Sequence, residues 1–293
     1  MEKKCGNEIF TSDFEPIKEG LFDLPEHDYR RIKALNITYA KLFNRSPAHV
    51  YTAINDPDAA LISPSYAMKQ GTAFHWAALQ PQRFESEVVE DLPMSKNSKA
   101  YKAWAEDQGD KLILPARDVK NVTRMVEVLK TKTAAQKYLQ SGWPEKSIIW
   151  REERFGIWCK CLIDWIREDG QALIDLKKTQ VASRWAFEMA IRRYEYYVQA
   201  AHYTRGYAKV MGYWPKEWVW IASEIDPPNE CNVFVADPEQ IEEAQGRLEG
   251  WYAEYQKCLE TGEWPGYTDT PIFLGYNPNP MDPGEDDDQY PEF

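Results

Sequence analysis

Apolar positions along this chain first recur at helical spacing and later switch to short, β-rich runs. YRRIKALNITYAKLFNRSPAHVYTAI (29–54) places its apolar side chains three and four apart, predicting a helix with Thr38 as a possible N-cap. SPSYAMKQGTAFHWAALQPQRF (63–84) predicts a second helix ending before Pro81, and RDVKNVTRMVEVLKTKTAAQKYL (117–139) a third. The mixed polar stretch 91–115 between them predicts a loop with a short helix. SIIWREERFGIWCKCLIDWI and QALIDLK are then β-branched and aromatic runs separated by turn residues, which predict three antiparallel strands. Residues 183–212 return to helical spacing with a break near Arg193–Glu195. EWVWIASEI and CNVFVAD predict two more strands, and 238–262 a long helix. This order predicts an α/β fold with a central mixed sheet flanked by helices, in one domain over 29–265. Residues 1–28 are expected to be loosely ordered, and the acidic, Pro/Gly-rich 266–293 to be a disordered tail.

The sharpest local signal is CLIDWIREDGQALIDLKKT (161–179). Asp169-Gly170 favours a two-residue type I′ turn, in which both central residues need positive φ. With that turn Glu168 pairs with Gln171, and Asp164 stands directly opposite Asp175. Opposed residues share a face with Cβ atoms about 4.5–5.5 Å apart, where like charges repel. Lys177 projects from the same face as Asp175. Two carboxylates and an ammonium on one face suit a divalent cation. The same residues also suit a strand-end salt bridge between Asp175 and Lys177, with Asp164 capping a turn.

Composition narrows the classes. The chain has no apolar run near the ~18 residues of a membrane-spanning helix. Its charged start lacks the apolar stretch of a secretory signal. Cysteines 5, 159, 161, 231 and 258 are odd in number and form no CxxC pair, which argues for reduced thiols in a cytoplasmic protein and against zinc or iron–sulfur binding. The net charge of −12 alone argues against nucleic acid, yet 177–209 carries seven basic and two acidic residues. A local basic surface beside a carboxylate site suits a polyanionic substrate.

Further candidates each have two readings. His75, in the largely apolar GTAFHWAAL, is a satisfied core histidine or a site residue. Gln199 and Tyr203 share a helix face, by chance or by function. Glu145 is an acid near the site or a surface residue. A second Asp-x-Lys, Asp118-Val-Lys120, lies on a predicted helix and receives no role.

The order His75, Asp164, Asp175-x-Lys177, Gln199-xxx-Tyr203 resembles the PD-(D/E)XK nucleases of the RecB type, and most closely the RecE-type exonucleases. NITYAKLFNRSPAHVY, GTAFHWAALQPQRF, SIIWREERFGIWCKCLIDWI, LIDLKKT and YYVQAAHYTRGY are similar to successive segments of that domain, over roughly 29–262. The family's Asp-x-Lys-Thr-Thr reads Asp-Leu-Lys-Lys-Thr here, so Lys178 departs from the pattern. The resemblance implies Mg²⁺, with Mn²⁺ able to substitute, at Asp164, Asp175 and the Leu176 carbonyl. It implies that Lys177 orients or deprotonates the attacking water and that His75 contacts metal or phosphate. Gln199 and Tyr203 would hold the substrate strand and the lysine in register. Lys33 is similar in position to a 5′-phosphate-binding arginine, and a solvated helix-end lysine would look the same. Lys178, Arg184, Arg192, Arg193 and Arg205 would contact DNA. The implied activity is 5′-to-3′ exonuclease action on double-stranded DNA ends by a ring-shaped homo-oligomer, a tetramer before a trimer, working with a RecT-like annealing protein in a bacterial or phage-infected cell. The alternatives are a CRISPR-adaptation nuclease, disfavoured by the cysteine set, an endonuclease or single-strand nuclease, and a non-catalytic DNA-binding or assembly module.

Overall fold

Residues 9–56 and 65–272 are described here, from a computed structural model. The N-terminal segment differs from expectation, because residues 20–22 form strand β1 (Gly20–Phe22) at the edge of the main sheet. Apolar burial holds it there: Phe22 packs on a cluster of Phe10, Ile32, Ala34 and Ile149. The helix expected over 29–54 is divided into α1 (Glu26–Arg31), α2 (Ile37–Ala40) with a 3-10 turn over 41–44, and α3 (Pro47–Asn55). Asn36, not Thr38, caps α2, its Oδ1 accepting from the Tyr39 N–H at 2.7 Å. Pro47 then opens α3, where its missing N–H costs nothing.

α4 (Tyr66–Leu79) stops before Pro81, which starts α5 (Pro81–Glu87). The stretch 91–115 holds the expected short helix, α6 (Lys99–Asp107), and ends in β3 (Leu112–Leu114), which pairs in parallel with β2 (Val88–Glu90) just before the stretch. The third expected helix divides at Lys132 into α7 (Ala116–Thr131) and α8 (Thr133–Leu139).

The β-rich centre forms as read. β4 (Gly142–Glu152), β5 (Ile157–Arg167) and β6 (Ala172–Thr179) are antiparallel neighbours. α9 (Arg184–Arg193) and α10 (Tyr196–Met211) cross over to β7 (Glu217–Glu224), which lies parallel to β6. β8 (Cys231–Val235) and the long α11 (Pro238–Thr261) follow. The main sheet runs β1-β4-β5-β6-β7-β8. One face buries Ile174, Leu176, Val219 and Ile221 together with Phe74 of α4 and Val122 and Met125 of α7. The other buries Leu173, Trp218 and Trp220 with residues of α3, α10 and α11. α10 approaches β4 so closely that a Cβ at Gly206 would lie 2.5 Å from the Trp150 ring. Among the described residues no helix is long and apolar enough to cross a membrane.

The hairpin keeps the expected register by a different turn. Trp165 pairs with Ile174 and Ile166 with Leu173, one step short of Asp164 opposite Asp175. Gly170 alone is left-handed, at φ +67°, and its N–H donates to Arg167 O at 2.8 Å. Asp169 stays at negative φ because its carboxylate accepts from the Gln171 N–H and grips the Arg167 guanidinium.

A buried cation anchors the N-terminal segment to the sheet. Lys160 of β5 is fully buried, and its Nζ donates to Tyr29 O at 2.9 Å, Ile32 O at 2.6 Å and Arg30 O at 3.3 Å. Burial alone holds its pKa down to about 7. The four described cysteines are buried free thiols, and Cys5 lies outside the described residues, as do 1–8 and 273–293 of the two terminal segments.

Candidate active site

The ladder between β5 and β6 ends at Trp165–Ile174, and the acidic residues sit where the strands part. Asp164 Oδ2 takes the place of the lost ladder bond by accepting from the Leu176 N–H at 2.8 Å. Across β4 and β5 the pairing runs through Pro144–Trp165 and Lys146–Ile163, which leaves Glu145 opposite Asp164 without a ladder bond. Glu145 adopts a left-handed φ of +51°, a conformation that costs a non-glycine residue energy. Glu145, Asp164 and Asp175 therefore form a row across three adjacent strands.

Asp175 is almost fully buried and held from two sides. Lys177 Nζ donates to its Oδ1 at 2.9 Å, and Gln199 Nε2 donates to the same oxygen at 2.9 Å. Lys177 also donates to Gln199 Oε1 at 3.3 Å. Asp175 Oδ2 lies 2.6 Å from the Lys177 nitrogen, yet it makes no hydrogen bond of acceptable angle and is sealed from water. His75 reaches in from α4, its Nε2 donating to the Leu176 carbonyl at 3.0 Å and its Nδ1 standing 3.6 Å from Asp164 Oδ1. Tyr203 lies one turn beyond Gln199 and packs edge-on against Trp218, with ring centroids 5.5 Å apart.

The electrostatics follow from crowding. Burial, then the Asp164 charge, push Glu145 up to about 7. Burial also raises Asp164, with the Asp175 charge adding to it and His75 opposing. Burial opposes the charge on Lys177, but Asp175, Tyr196 and Asp164 outweigh it and leave its pKa raised. Lys41, in the turn after α2, is held down to about 8 by burial and by the Lys177 charge.

This donor set fits a hard divalent cation. It offers carboxylates crowded enough to resist ionisation, a main-chain carbonyl, an imidazole and one buried carboxylate oxygen without a hydrogen bond. Among the described residues no three acidic, histidine or cysteine side chains converge on one point, and the Lys177 ammonium occupies Asp175. The metal-site and salt-bridge readings of the sequence thus share one cluster.

The structure gathers His75, Asp164, Asp175, Leu176, Lys177 and Gln199 at one place, with Tyr203 behind them. It does not gather the basic residues of 177–209 into one surface. Lys178 reaches Gln70 at 3.5 Å on the other side of β6. Arg205 is pinned by Glu152 at 2.7 Å and Glu249 at 2.9 Å, and Lys209 by Glu153 at 2.6 Å. Arg184 pairs with Glu188, while Arg192 and Arg193 are exposed at the end of α9. Lys33 is exposed between α1 and α2. Opposite signs along neighbouring strands and helices attract, and a charge count along one segment cannot see those partners. Sequence reasoning left Glu145 undecided and missed Lys41 and Tyr196. Extending the β4–β5 pairing from its turn would have placed Glu145, whereas nothing local marks Lys41.

An acidic row at a strand divergence, with Asp-x-Lys on the central strand of a mixed sheet, is the arrangement that defines the PD-(D/E)XK class. The chain belongs to that class: residues 37–271 match the PDDEXK-like domain of unknown function (DUF3799). Among solved structures it is similar to a "putative exonuclease" from Eubacterium rectale, with a TM-score of 0.61 and 13% identity over 90% of this chain and 99% of that one. No curated protein matches it. The family and the fold expected from the motifs are thereby borne out.

Proposed function

We propose that this protein is a divalent-metal-dependent exodeoxyribonuclease that degrades the 5′-terminated strand at double-stranded DNA ends, yielding mononucleotides and 3′ single-stranded tails. The observation that carries the reading is the Asp164–Asp175–Lys177–Gln199 cluster beside His75, in a chain of this family. The exonuclease description of the Eubacterium rectale structure supports the choice of an end-directed enzyme.

Asp164, Asp175 and the Leu176 carbonyl would hold Mg²⁺ or Mn²⁺, with His75 beside them and Glu145 within their field. Bound there, the metal supplies Lewis-acid polarisation of a phosphoryl oxygen and a water acidic enough to attack at neutral pH. The protein's own groups do the rest. Lys177 keeps its proton and places positive charge at the reacting phosphate. Gln199 fixes both Lys177 and Asp175, so that neither must be ordered when substrate arrives. His75 fixes the Leu176 carbonyl and faces Asp164. A ring-shaped homo-oligomer, tetrameric before trimeric, and a RecT-like annealing partner complete the reading.

Linear and covalently closed circular duplexes, incubated together with Mg²⁺, test it. Loss of the linear form alone is expected. Nicking or linearisation of the circle would replace the exonuclease with an endonuclease.

A further inference from the structure

Lys41 sits beside the acidic cluster on an element that no catalytic motif contains. Its ammonium lies 5.9 Å from the centroid of the Tyr196 ring, and the Lys177 ammonium lies 4.6 Å from the same centroid. The two nitrogens are thus no more than about 10.5 Å apart. Lys177 has Asp175 as its counter-charge, whereas no carboxylate among the described residues pairs with Lys41. Its ammonium donates instead to a neutral acceptor, the Tyr194 carbonyl. Glu195, the acid whose charge acts most on Lys41, is already taken by Arg247 at 2.6 Å and Asn44 at 3.2 Å. Glu195 is left-handed at φ +53° in the break between α9 and α10, and that break presents the Tyr194 carbonyl to Lys41.

Glu195 and Asp175 act on Lys41 only through unpaired Coulomb attraction, and a half-buried cation that repels its neighbour without a paired counter-ion is costly unless an anion joins it. With Lys177 at the reacting phosphate, an anion at Lys41 would be a neighbouring phosphate of the same strand. Resting on the nuclease reading above, we propose that Lys41 is a backbone-phosphate seat, binding the phosphodiester next to the one that is cut. Lys41 and Lys177, on one aromatic ring, would then fix the strand at two successive points and set which bond faces the acidic row. Phosphate contacts of this kind fix register without reading sequence.

The test measures binding of a fluorescent duplex with a single-stranded 5′ overhang, in chelator so that nothing is cut, at several salt concentrations. The proteins are wild type, Lys41→Gln, which retains a donor for the Tyr194 carbonyl, and Lys41→Arg, which retains the charge. Cleavage by wild type in Mg²⁺ is measured in parallel. Lys41→Gln is expected to bind about tenfold more weakly and to lower the salt slope by roughly 0.7–0.9, the share of one phosphate. Lys41→Arg is expected to restore both. A single methylphosphonate next to the scissile position should weaken wild type and leave Lys41→Gln unaffected, a comparison that holds even if the variant is less stable. If wild type cuts DNA but Lys41→Gln binds with unchanged affinity and slope, Lys41 is only a clasp on α9 and the proposal falls alone. If wild type neither binds nor cuts DNA, the nuclease reading fails and takes the phosphate seat with it.

Discussion

Replacing Lys160 with methionine should change how stability depends on pH. Its ammonium is fully buried, with three main-chain carbonyls and, among the described residues, no paired carboxylate around it, and its pKa falls from the ordinary 10.5 to about 7. Between those values the unfolded chain binds more protons than the folded one, so wild-type stability rises with pH across that window. The penalty of holding a buried charge is fully present below pH 7 and fades above it. Each pH unit inside the window is worth up to about 1.4 kcal/mol, so from pH 7 to pH 9 the rise is roughly 2–3 kcal/mol. Buried tyrosines and cysteines titrate at the upper end with the opposite sign, but they are common to both proteins and cancel in the difference. Urea unfolding of wild type and Lys160→Met at pH 6, 7, 8 and 9 measures that difference. Wild type should gain on the variant by that amount between pH 7 and 9, and by only about 0.3–0.4 kcal/mol between 6 and 7. A gap that stays constant to pH 9 would mean that the carbonyls keep Lys160 charged and that burial does not control it.

Two further outcomes follow from the site. Gln199→Leu removes the 2.9 Å bond to Asp175 and the 3.3 Å bond from Lys177, and should lower kcat about 10- to 100-fold with KM and thermal midpoint near wild type; a rise in KM alone would assign Gln199 to substrate binding. Burial and the Asp164 charge keep Glu145 protonated to about pH 7, so Mg²⁺ binding near pH 6.5 should release protons, and release should shrink by pH 8.5. Calorimetry in buffers of different ionisation enthalpy reads this, and release that Glu145→Gln leaves unchanged would place Glu145 outside the metal's field.

The hairpin shows what a sequence can carry. A two-residue turn centred on Asp169-Gly170 predicts the β5–β6 register correctly, although the turn takes another form. Register depends on which faces must be buried, and several turns can satisfy it. The candidate site was legible for the same reason: Asp164, Asp175 and Lys177 lie on paired strands, and Gln199 on a helix with a readable break. Boundaries within 29–54 were not legible, because Asn36 and Pro47 punctuate a nearly continuous helical pattern. β1 and the β2–β3 pair were missed because three-residue strands carry too little alternation to register. The charge count over the basic segment overlooks tertiary partners, since Glu152, Glu153 and Glu249 come from other elements to pair with Arg205 and Lys209.

We propose above that the Asp164–Asp175–Lys177 cluster is a metal-dependent centre for cutting DNA from its 5′ ends. Linear duplex DNA labelled at one 5′ end, incubated with wild type or Asp175→Ala in Mg²⁺ or in chelator, tests that most directly. Release of labelled mononucleotide by wild type in Mg²⁺ alone is the predicted result. Intact label in wild type with Mg²⁺, or equal release by Asp175→Ala, would contradict it.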